Sequence, residues 1–406
     1  MSAALIPIWR VTAPTHIVTG AEWMSFHILQ EAERCPLASV LRRSQYSQLW
    51  NRSGYPKKPI VPAAIGIIVH SSAQRLMREL MKDGVCSTRD EKAIETLRRL
   101  GGLSAVIKEE MSAFIQSEQI NPRFQSFALA FERNLTNKLP RMRELLQELL
   151  SEQQWIVRSS GPRGKTSADA WSAGAKRFRL RLGTSFEVEL REPALKWKGR
   201  VDVITVLNNS CSMLDLKTGE PSDTHIEQLR VYSVLWDGDQ DLNPDRLPLS
   251  ELKIFYGSSA VSLDLPTNES LADWRSALTK RTENVLKLLT LSPVPARPSP
   301  ENCSGCQVKL LCNEYWKLHR QGLDDQFQDI EMKLISKRGD FGWVGEDTRN
   351  GSSSRELLLT RPNGGLAYWD ELASGMRIRI TDAHFTVREG ETPLVVATTF
   401  SEAVLI

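Results

Sequence analysis

The sequence predicts a mixed α/β protein with a helical amino-terminal third, a strand-rich centre and a small carboxy-terminal β-barrel. Three patterns carry that prediction. Apolar residues recur at helical spacing from about residue 64 to 152, they alternate with charged residues from 184 to 218, and short strand-like runs separated by Gly-containing turns follow residue 325. At roughly 150 residues per domain, 406 residues suggest two or three domains. The boundaries are placed at 1–155, 156–325 and 326–406.

In order, residues 20–50 read as a helix with Cys35-Pro36 at a kink, because proline removes an intrahelical donor. Ile67, Ile68, Leu76, Met77 and Leu80 give the next helix one apolar face. Phe186, Val188 and Leu190 alternate with Glu187, Glu189 and Arg191, and two further strands, 201–207 and 213–216, flank Asn208-Asn209. A helix at 225–236, a strand at 252–256, a helix at 271–289 and a proline-rich linker at 293–300 complete the centre. Short strands at 341–344, 356–360, 376–380 and 394–398 build the barrel, with Trp343, Trp369 and Phe385 among Arg355, Arg361, Arg377 and Arg379. Stacking rings beside cations suit single-stranded nucleic acid, and an OB-like barrel is the corresponding fold. For Trp343 or Trp369 taken singly, a place in the small barrel core is the somewhat stronger expectation.

Composition excludes whole classes. With 41% apolar and 25% charged residues the chain is neither collagen-like nor disordered, and six cysteines are too few for a disulfide scaffold. The first ten residues lack a secretory pattern, and the longest nearly apolar run, 61–69, is too short to span a bilayer, so a cytoplasmic protein is expected. The net charge of +3 hides a basic segment at 158–182. Arg163, Lys165, Lys176 and Arg177 within it are candidate contacts to a DNA backbone.

The chemistry centres on Asp202 and Asp215. Asn208-Asn209 serves as a two-residue hairpin loop because Asn tolerates positive φ. In the register this loop sets, the two aspartates face each other across the strands. Facing like charges destabilise a sheet unless something neutralises them, and a divalent cation does so. Lys217, two residues after Asp215, projects from the same side. Two carboxylates, a cation and an ammonium are the parts needed to hydrolyse a phosphodiester. An isolated Asp-x-Lys, by contrast, is usually a solvated strand edge. Gln228 and Tyr232, four apart on the following helix, share a face from which both reach toward a phosphate or an unstacked base. His70 sits among small and apolar neighbours, a setting where a histidine is ordinarily structural.

Three thiols, Cys303, Cys306 and Cys312, fall within ten residues and can converge on one centre. Cys35 is the best candidate for the fourth ligand. Cys211 reads as a small core residue, and Cys86 has no assigned role.

The order Gly66-x-x-x-His70, Gly199-Arg200-Val201-Asp202, Asp215-Leu216-Lys217-Thr218-Gly219 and Gln228-x-x-x-Tyr232 resembles the RecB-type branch of the PD-(D/E)XK nucleases, over about residues 20–315. The resemblance implies a restriction-endonuclease-like core. It also implies that His70, Asp202, Asp215 and the Leu216 carbonyl bind Mg²⁺ or Mn²⁺, that Lys217 activates water, and that Gln228 and Tyr232 assist positioning. Glu189 is a supporting acid in that scheme, and His225 only flanks the helix. AddB and the iron–sulfur exonucleases of CRISPR adaptation have one cysteine before the core and three after it. By that resemblance Cys35, Cys303, Cys306 and Cys312 hold a four-iron, four-sulfur cluster that clasps the core, with Zn²⁺ as the alternative.

The expectation is a metal-dependent DNA exonuclease for single strands or DNA ends, serving phage defence, CRISPR-type adaptation or DNA repair. The other expectation is a DNA-binding or assembly subunit of a helicase–nuclease or defence complex. No helicase motif is present, so unwinding would fall to a partner.

Overall fold

The computed structural model describes residues 8–9, 13–151, 156, 177–257, 259–318, 327–340, 342–348, 355–360, 371–387, 391–398 and 400–406. Arg163, Lys165, Lys176, Arg361 and Trp369, and the side chain of Arg355, lie outside the described residues.

A two-residue strand, β1 (Ile8–Trp9), is followed by α1 (Phe26–Arg34) and α2 (Pro36–Arg43). Ser25 caps α1 and Pro36 opens α2. Cys35 between them is extended, so the expected kink is a full break that turns the thiol out of both helices. The helical lobe is α3 (Val61–Lys82), α4 (Glu91–Arg99), α5 (Leu103–Glu118), α6 (Ala128–Asn137) and α7 (Leu139–Ser151).

The central sheet begins with β2 (Gly183–Glu192), β3 (Trp197–Val206) and β4 (Cys211–Leu216). Next come α8 (Asp223–Gly238), β5 (Leu249–Phe255), β6 (Ala260–Ser262) and α9 (Asn268–Leu289). Strand order is β2-β3-β4-β5-β6, antiparallel except that β4 and β5 run parallel, with α8 as the crossover. The β3–β4 register pairs Val203 with Leu214 and Val206 with Cys211, and Leu207 N–H donates to Ser210 O at 2.8 Å. This is the register expected from an Asn208-Asn209 loop. Helices cover both faces. Ile68, Leu76 and Leu80 of α3 pack with Phe186, Val203 and Leu216 on one side, and Leu29, Leu229 and Leu278 pack with Val188, Val201 and Met213 on the other. Cys211 is fully buried in the second core, as expected.

Past α9, α10 (Pro300–Ser304) and α11 (Asn313–Leu318) carry the cysteine segment to the barrel. The barrel strands are β7 (Phe327–Arg338), β8 (Gly342–Asp347), β9 (Arg355–Thr360), β10 (Arg377–Thr386) and β11 (Leu394–Val396). They pair in the order β7-β8-β9-β11-β10, β10 closes onto β7, and the β9–β11 pair is parallel. β12 (Glu402–Leu405) extends β10, and β1 adds to β12, so the amino-terminal strand joins the carboxy-terminal sheet. Trp343 is 4% exposed and packs in the barrel core rather than forming a surface platform. Arg379, 9% exposed, donates to Glu331 at 2.8 Å, and Arg377 pairs with the same carboxylate while its side chain stays 45% exposed. No helix among the described residues is long and apolar enough to cross a membrane.

Candidate active site

Three carboxylates occupy facing positions on three adjacent strands. Val188 pairs with Val201 and Phe186 with Val203, which sets Glu187 opposite Asp202, and the β3–β4 register sets Asp202 opposite Asp215. Glu187 has φ of +53°, a conformation that residues other than glycine rarely adopt. There β2 changes face: Phe186 packs in the helical-lobe core and Val188, two residues on, in the opposite core. Strained backbone of this kind clusters at functional sites.

His70 reaches these acids from α3. A side chain at Gly66 would meet Thr218 Oγ1 at 3.0 Å, so a residue without one lets α3 press against the end of β4. One turn on, His70 Nδ1 lies 3.8 Å from Asp202 Oδ2. Burial first, and then the charge of Lys217, hold His70 below its usual pKa, which leaves the neutral imidazole a metal needs. The Leu216 carbonyl accepts a hydrogen bond from the same ring. Leu216 N–H donates to Asp202 Oδ2 at 2.6 Å.

Asp202 carries the largest electrostatic burden. Burial, and then the Asp215 charge, hold its carboxyl well above the usual carboxylate range, while Lys217 acts the other way. Burial also raises Glu187, against Arg200, whose Nη1 is 3.5 Å away. Asp215 is 1% exposed; its Oδ2 lies 2.5 Å from Lys217 Nζ but receives no aligned hydrogen bond. The Lys217 backbone is fixed by its N–H to Phe255 O at 2.8 Å.

Among the described residues, His70, Glu187 and Asp202 are the three potential metal ligands whose donor atoms all lie within 4.8 Å of one another. A repelling acid row, a neutral imidazole and an under-satisfied buried oxygen fit a divalent cation. The sequence reasoning chose Glu189 as the supporting acid, but Glu189 accepts from Arg191 Nε at 2.7 Å and sits outside this group. The β2–β3 register sets Glu187 opposite Asp202, but the turn of its side chain onto the acid face depends on the switch at positive φ, which the alternation of residues does not show.

Gln228 and Tyr232 stand differently from expectation. They are 6% and 5% exposed, and Gln228 Nε2 donates to Tyr232 Oη at 2.7 Å. A side chain at Gly199 would meet the Tyr232 ring at 2.6 Å, so the pair docks α8 onto β3 behind the acids rather than reaching outward. Burial, then Asp215 and Asp202, push the Tyr232 hydroxyl up, which keeps it a neutral donor beside them. His225 does more than flank α8: its Nδ1 is 3.0 Å from Tyr256 Oη, within the fields of Lys217 and Asp215. Arg177 is taken up by the fold, donating to Asp239 Oδ2 at 2.7 Å and Glu189 O at 2.6 Å.

Cys35 packs with Cys306, Val308 and Leu311. Burial raises the thiols of Cys303, Cys306 and Cys312, Cys306 to about 11. Backbone N–H groups of Arg297 and Tyr315 donate to Cys35 Sγ and Cys312 Sγ, each at 3.4 Å. A set of thiols with N–H donors aimed at sulfur has the donor chemistry of a metal–thiolate centre.

The profile of the PD-(D/E)XK nuclease superfamily matches residues 24–313, which contain every one of these site residues. The chain belongs to the PD-(D/E)XK nuclease superfamily. Members of this superfamily are generally nucleases, and they typically use Mg²⁺ or Mn²⁺. No curated protein matches the chain. Among solved structures, the tetrameric p202 HIN2 aligns at 16% identity over 22% of this chain and 45% of that one, with a TM-score of 0.17. A murine DNA binding protein bound with ds DNA aligns at 10% over 55% and 95%, and the p204 HINb domain at 8% over 57% and 99%, both with TM-scores of 0.17. Scores this low do not describe a shared fold.

Proposed function

We propose that this PD-(D/E)XK protein is a metal-dependent DNA nuclease of the RecB type, cleaving single strands or DNA ends as an exonuclease. The observation that carries the reading is the facing acids with Lys217 Nζ 2.5 Å from Asp215. A binding subunit gains nothing from an acid row that repels itself and a lysine fixed beside it. His70, Asp202 and Asp215, with the Leu216 carbonyl and Glu187 beside them, are the residues that would hold Mg²⁺ or Mn²⁺. When bound, the cation lowers the pKa of a water and screens the phosphate. Lys217 orients the nucleophile and offsets charge as it develops on the phosphate oxygens. Gln228 and Tyr232 hold α8 so that a neutral hydroxyl faces the acids.

Cys35, Cys303, Cys306 and Cys312 would hold a four-iron, four-sulfur cluster that joins α1 and α2 to the segment after α9. The packing of Cys35 with Cys306 and the N–H donors to Cys35 and Cys312 support this. The barrel order, with strands one, two, three, five and four closing on strand one and a parallel third-to-fifth pair, supports an OB-like domain. Phage defence, CRISPR-type adaptation and repair are the settings this reading fits.

The test uses single strands labelled at the 5′ or the 3′ end, with Mn²⁺ or Mg²⁺, comparing the wild type with Asp215→Ala and Lys217→Ala. Cleavage by the wild type alone is expected, and which label is released first gives the polarity. Equal cleavage by all three proteins sinks the assignment. Anaerobic purification tests the cysteine centre: a colourless protein with stoichiometric zinc overturns the iron–sulfur assignment.

A further inference from the structure

Contact with the substrate was expected of Gln228 and Tyr232, yet both side chains are buried and bonded to each other. His225 shares their face of α8, three residues before Gln228 and seven before Tyr232, at the outer end of the row. Of the three it is the one left partly exposed. Its N–H donates to Ser222 O at 2.9 Å, so the first turn of α8 fixes the backbone that carries the ring.

Tyr256 meets it from the end of β5. Leu216 pairs with Phe255, and Lys217 N–H donates to Phe255 O at 2.8 Å, so the parallel ladder runs one residue further and sets Lys217 beside Tyr256. Side chains alternate along both strands. Leu216 and Phe255 pack toward the helical lobe, whereas Tyr256 packs against the opposite core with Met213 and Ile254. Lys217 and Asp215 therefore project on the Tyr256 side, which agrees with their own 2.5 Å approach. Tyr256 N–H donates to Ser259 O at 2.8 Å, and Gly257, at φ of +82°, has no room for a side chain before Glu148 Oε2 at 2.9 Å. The tyrosine is held where it stands.

The His225 and Tyr256 rings lie with centroids 5.7 Å apart, and His225 Nδ1 is 3.0 Å from Tyr256 Oη. Burial, and then the Lys217 charge, hold the imidazole below its usual pKa, and a neutral imidazole carries one N–H. With that proton on Nε2, Nδ1 accepts from the phenol and Nε2–H is free. With it on Nδ1, the ring donates to Oη and the phenolic O–H is free. Either tautomer leaves the pair one neutral donor beside a lysine, and among the described residues no third side chain is hydrogen-bonded to it. A phosphate oxygen, which only accepts, is the complement of that donor.

We propose that the His225–Tyr256 pair is the part of α8 and β5 that touches the substrate, donating one hydrogen bond to a phosphate of the DNA strand held beside Lys217. This rests on the nuclease reading for the identity of the ligand.

The test is binding of a fluorescent single-stranded oligonucleotide to the whole protein in chelator, where no cleavage occurs, titrated across a range of salt concentrations. Wild type is compared with His225→Ala, Tyr256→Phe and the double variant. Losing a hydrogen bond to a charged group weakens binding by about 10- to 100-fold. A neutral donor displaces no counterion, so the slope of log K against log salt stays at the wild-type value, whereas loss of a cation lowers it by about 0.7. Both single variants are expected to bind more weakly at unchanged slope, and the double variant to lose less than the sum of the two, because the pair acts as a unit. Tyr256→Phe keeps the ring and its packing, so it reads the hydrogen bond even where His225→Ala is destabilised. Wild-type affinity in Tyr256→Phe overturns the contact, as do additive losses, a lowered slope, or a wild type that does not bind the oligonucleotide. Binding losses as expected in a protein that cuts no strand in Mg²⁺ or Mn²⁺ overturn the nuclease reading and leave the contact standing.

Discussion

Asp202→Asn is expected to make the metal-free protein more stable while abolishing cleavage. Asp202 and Asp215 hold facing positions, where Cβ atoms are about 5 Å apart, and two such charges repel by about 3 kcal/mol at an effective dielectric constant near 20. Lys217 offsets part of this, since its Nζ is 2.5 Å from Asp215 Oδ2. The substitution removes the repulsion and the desolvation of one charge. It keeps an oxygen to accept from Leu216 N–H, now 2.6 Å from Asp202 Oδ2. A net gain of about 1–3 kcal/mol follows. The pH dependence has a definite sign. Because the folded-state pKa is raised, wild-type stability from this group is fully present below the ordinary carboxylate value and is lost as pH rises through the raised one. Asp202→Asn lacks that loss. Denaturant unfolding in chelator, from mildly acidic to mildly alkaline buffer, measures both effects, and repeating it with Mn²⁺ tests the site. Saturation near 100 times the dissociation constant adds about 2.7 kcal/mol to the wild type. The reasoning is refuted if Asp202→Asn is less stable than wild type in alkaline chelator, or if Mn²⁺ stabilises both proteins equally.

Glu187→Gln should weaken metal affinity or cleavage by about 10- to 100-fold, whereas Glu189→Gln, whose carboxylate already serves Arg191, should leave both unchanged; calorimetric Mn²⁺ titration distinguishes them. Gly199→Ala places a methyl 2.6 Å from the Tyr232 ring and 3.0 Å from Leu235 Cδ1, and such overpacking costs about 1–3 kcal/mol. A denaturant midpoint equal to wild type would contradict it. Arg123→Met strands Glu402, which is 4% exposed and bonded to Arg123 at 2.6 and 2.7 Å. Breaking a buried pair costs about 3–5 kcal/mol, and adding Glu402→Met should recover much of it; unchanged unfolding by Arg123→Met alone refutes the argument.

Where local chemistry dictates geometry, the sequence was sufficient. Asn208-Asn209 admits one tight loop, that loop fixes the β3–β4 register, and the register brings Asp202 to Asp215. The two helices and four strands of the centre were readable because their apolar periods are regular. Glu187 was missed because its role depends on a backbone switch at positive φ, which side-chain alternation does not encode. β7 was missed even though Ile330, Met332 and Leu334 alternate with charged residues; the alternation was present, and the proximity of the domain boundary masked it. Gln228 and Tyr232 were correctly placed on one helix face, but that the face turns inward follows only from Gly199 on another strand. Arg177, Arg377 and Arg379 read as free cations because their partners, Asp239 and Glu331, are far away in sequence or on a neighbouring strand.

The junction between the cysteine segment and the barrel is polar, and that choice has a mechanical consequence. Gln307 O accepts from Arg123, which carries the contact on to Glu402 of β12. Lys309, between Cys306 and Cys312, pairs with Asp329 of β7 at 2.7 Å, and Tyr315 Oη donates to the same carboxylate at 2.6 Å. Arg379 of β10 donates to Asn313 Oδ1 at 2.9 Å and lies over the Trp316 ring. An apolar junction tolerates sliding, whereas each buried charge here must meet its own partner or lose several kcal/mol. The barrel is therefore held in one register against the segment that carries Cys303, Cys306 and Cys312.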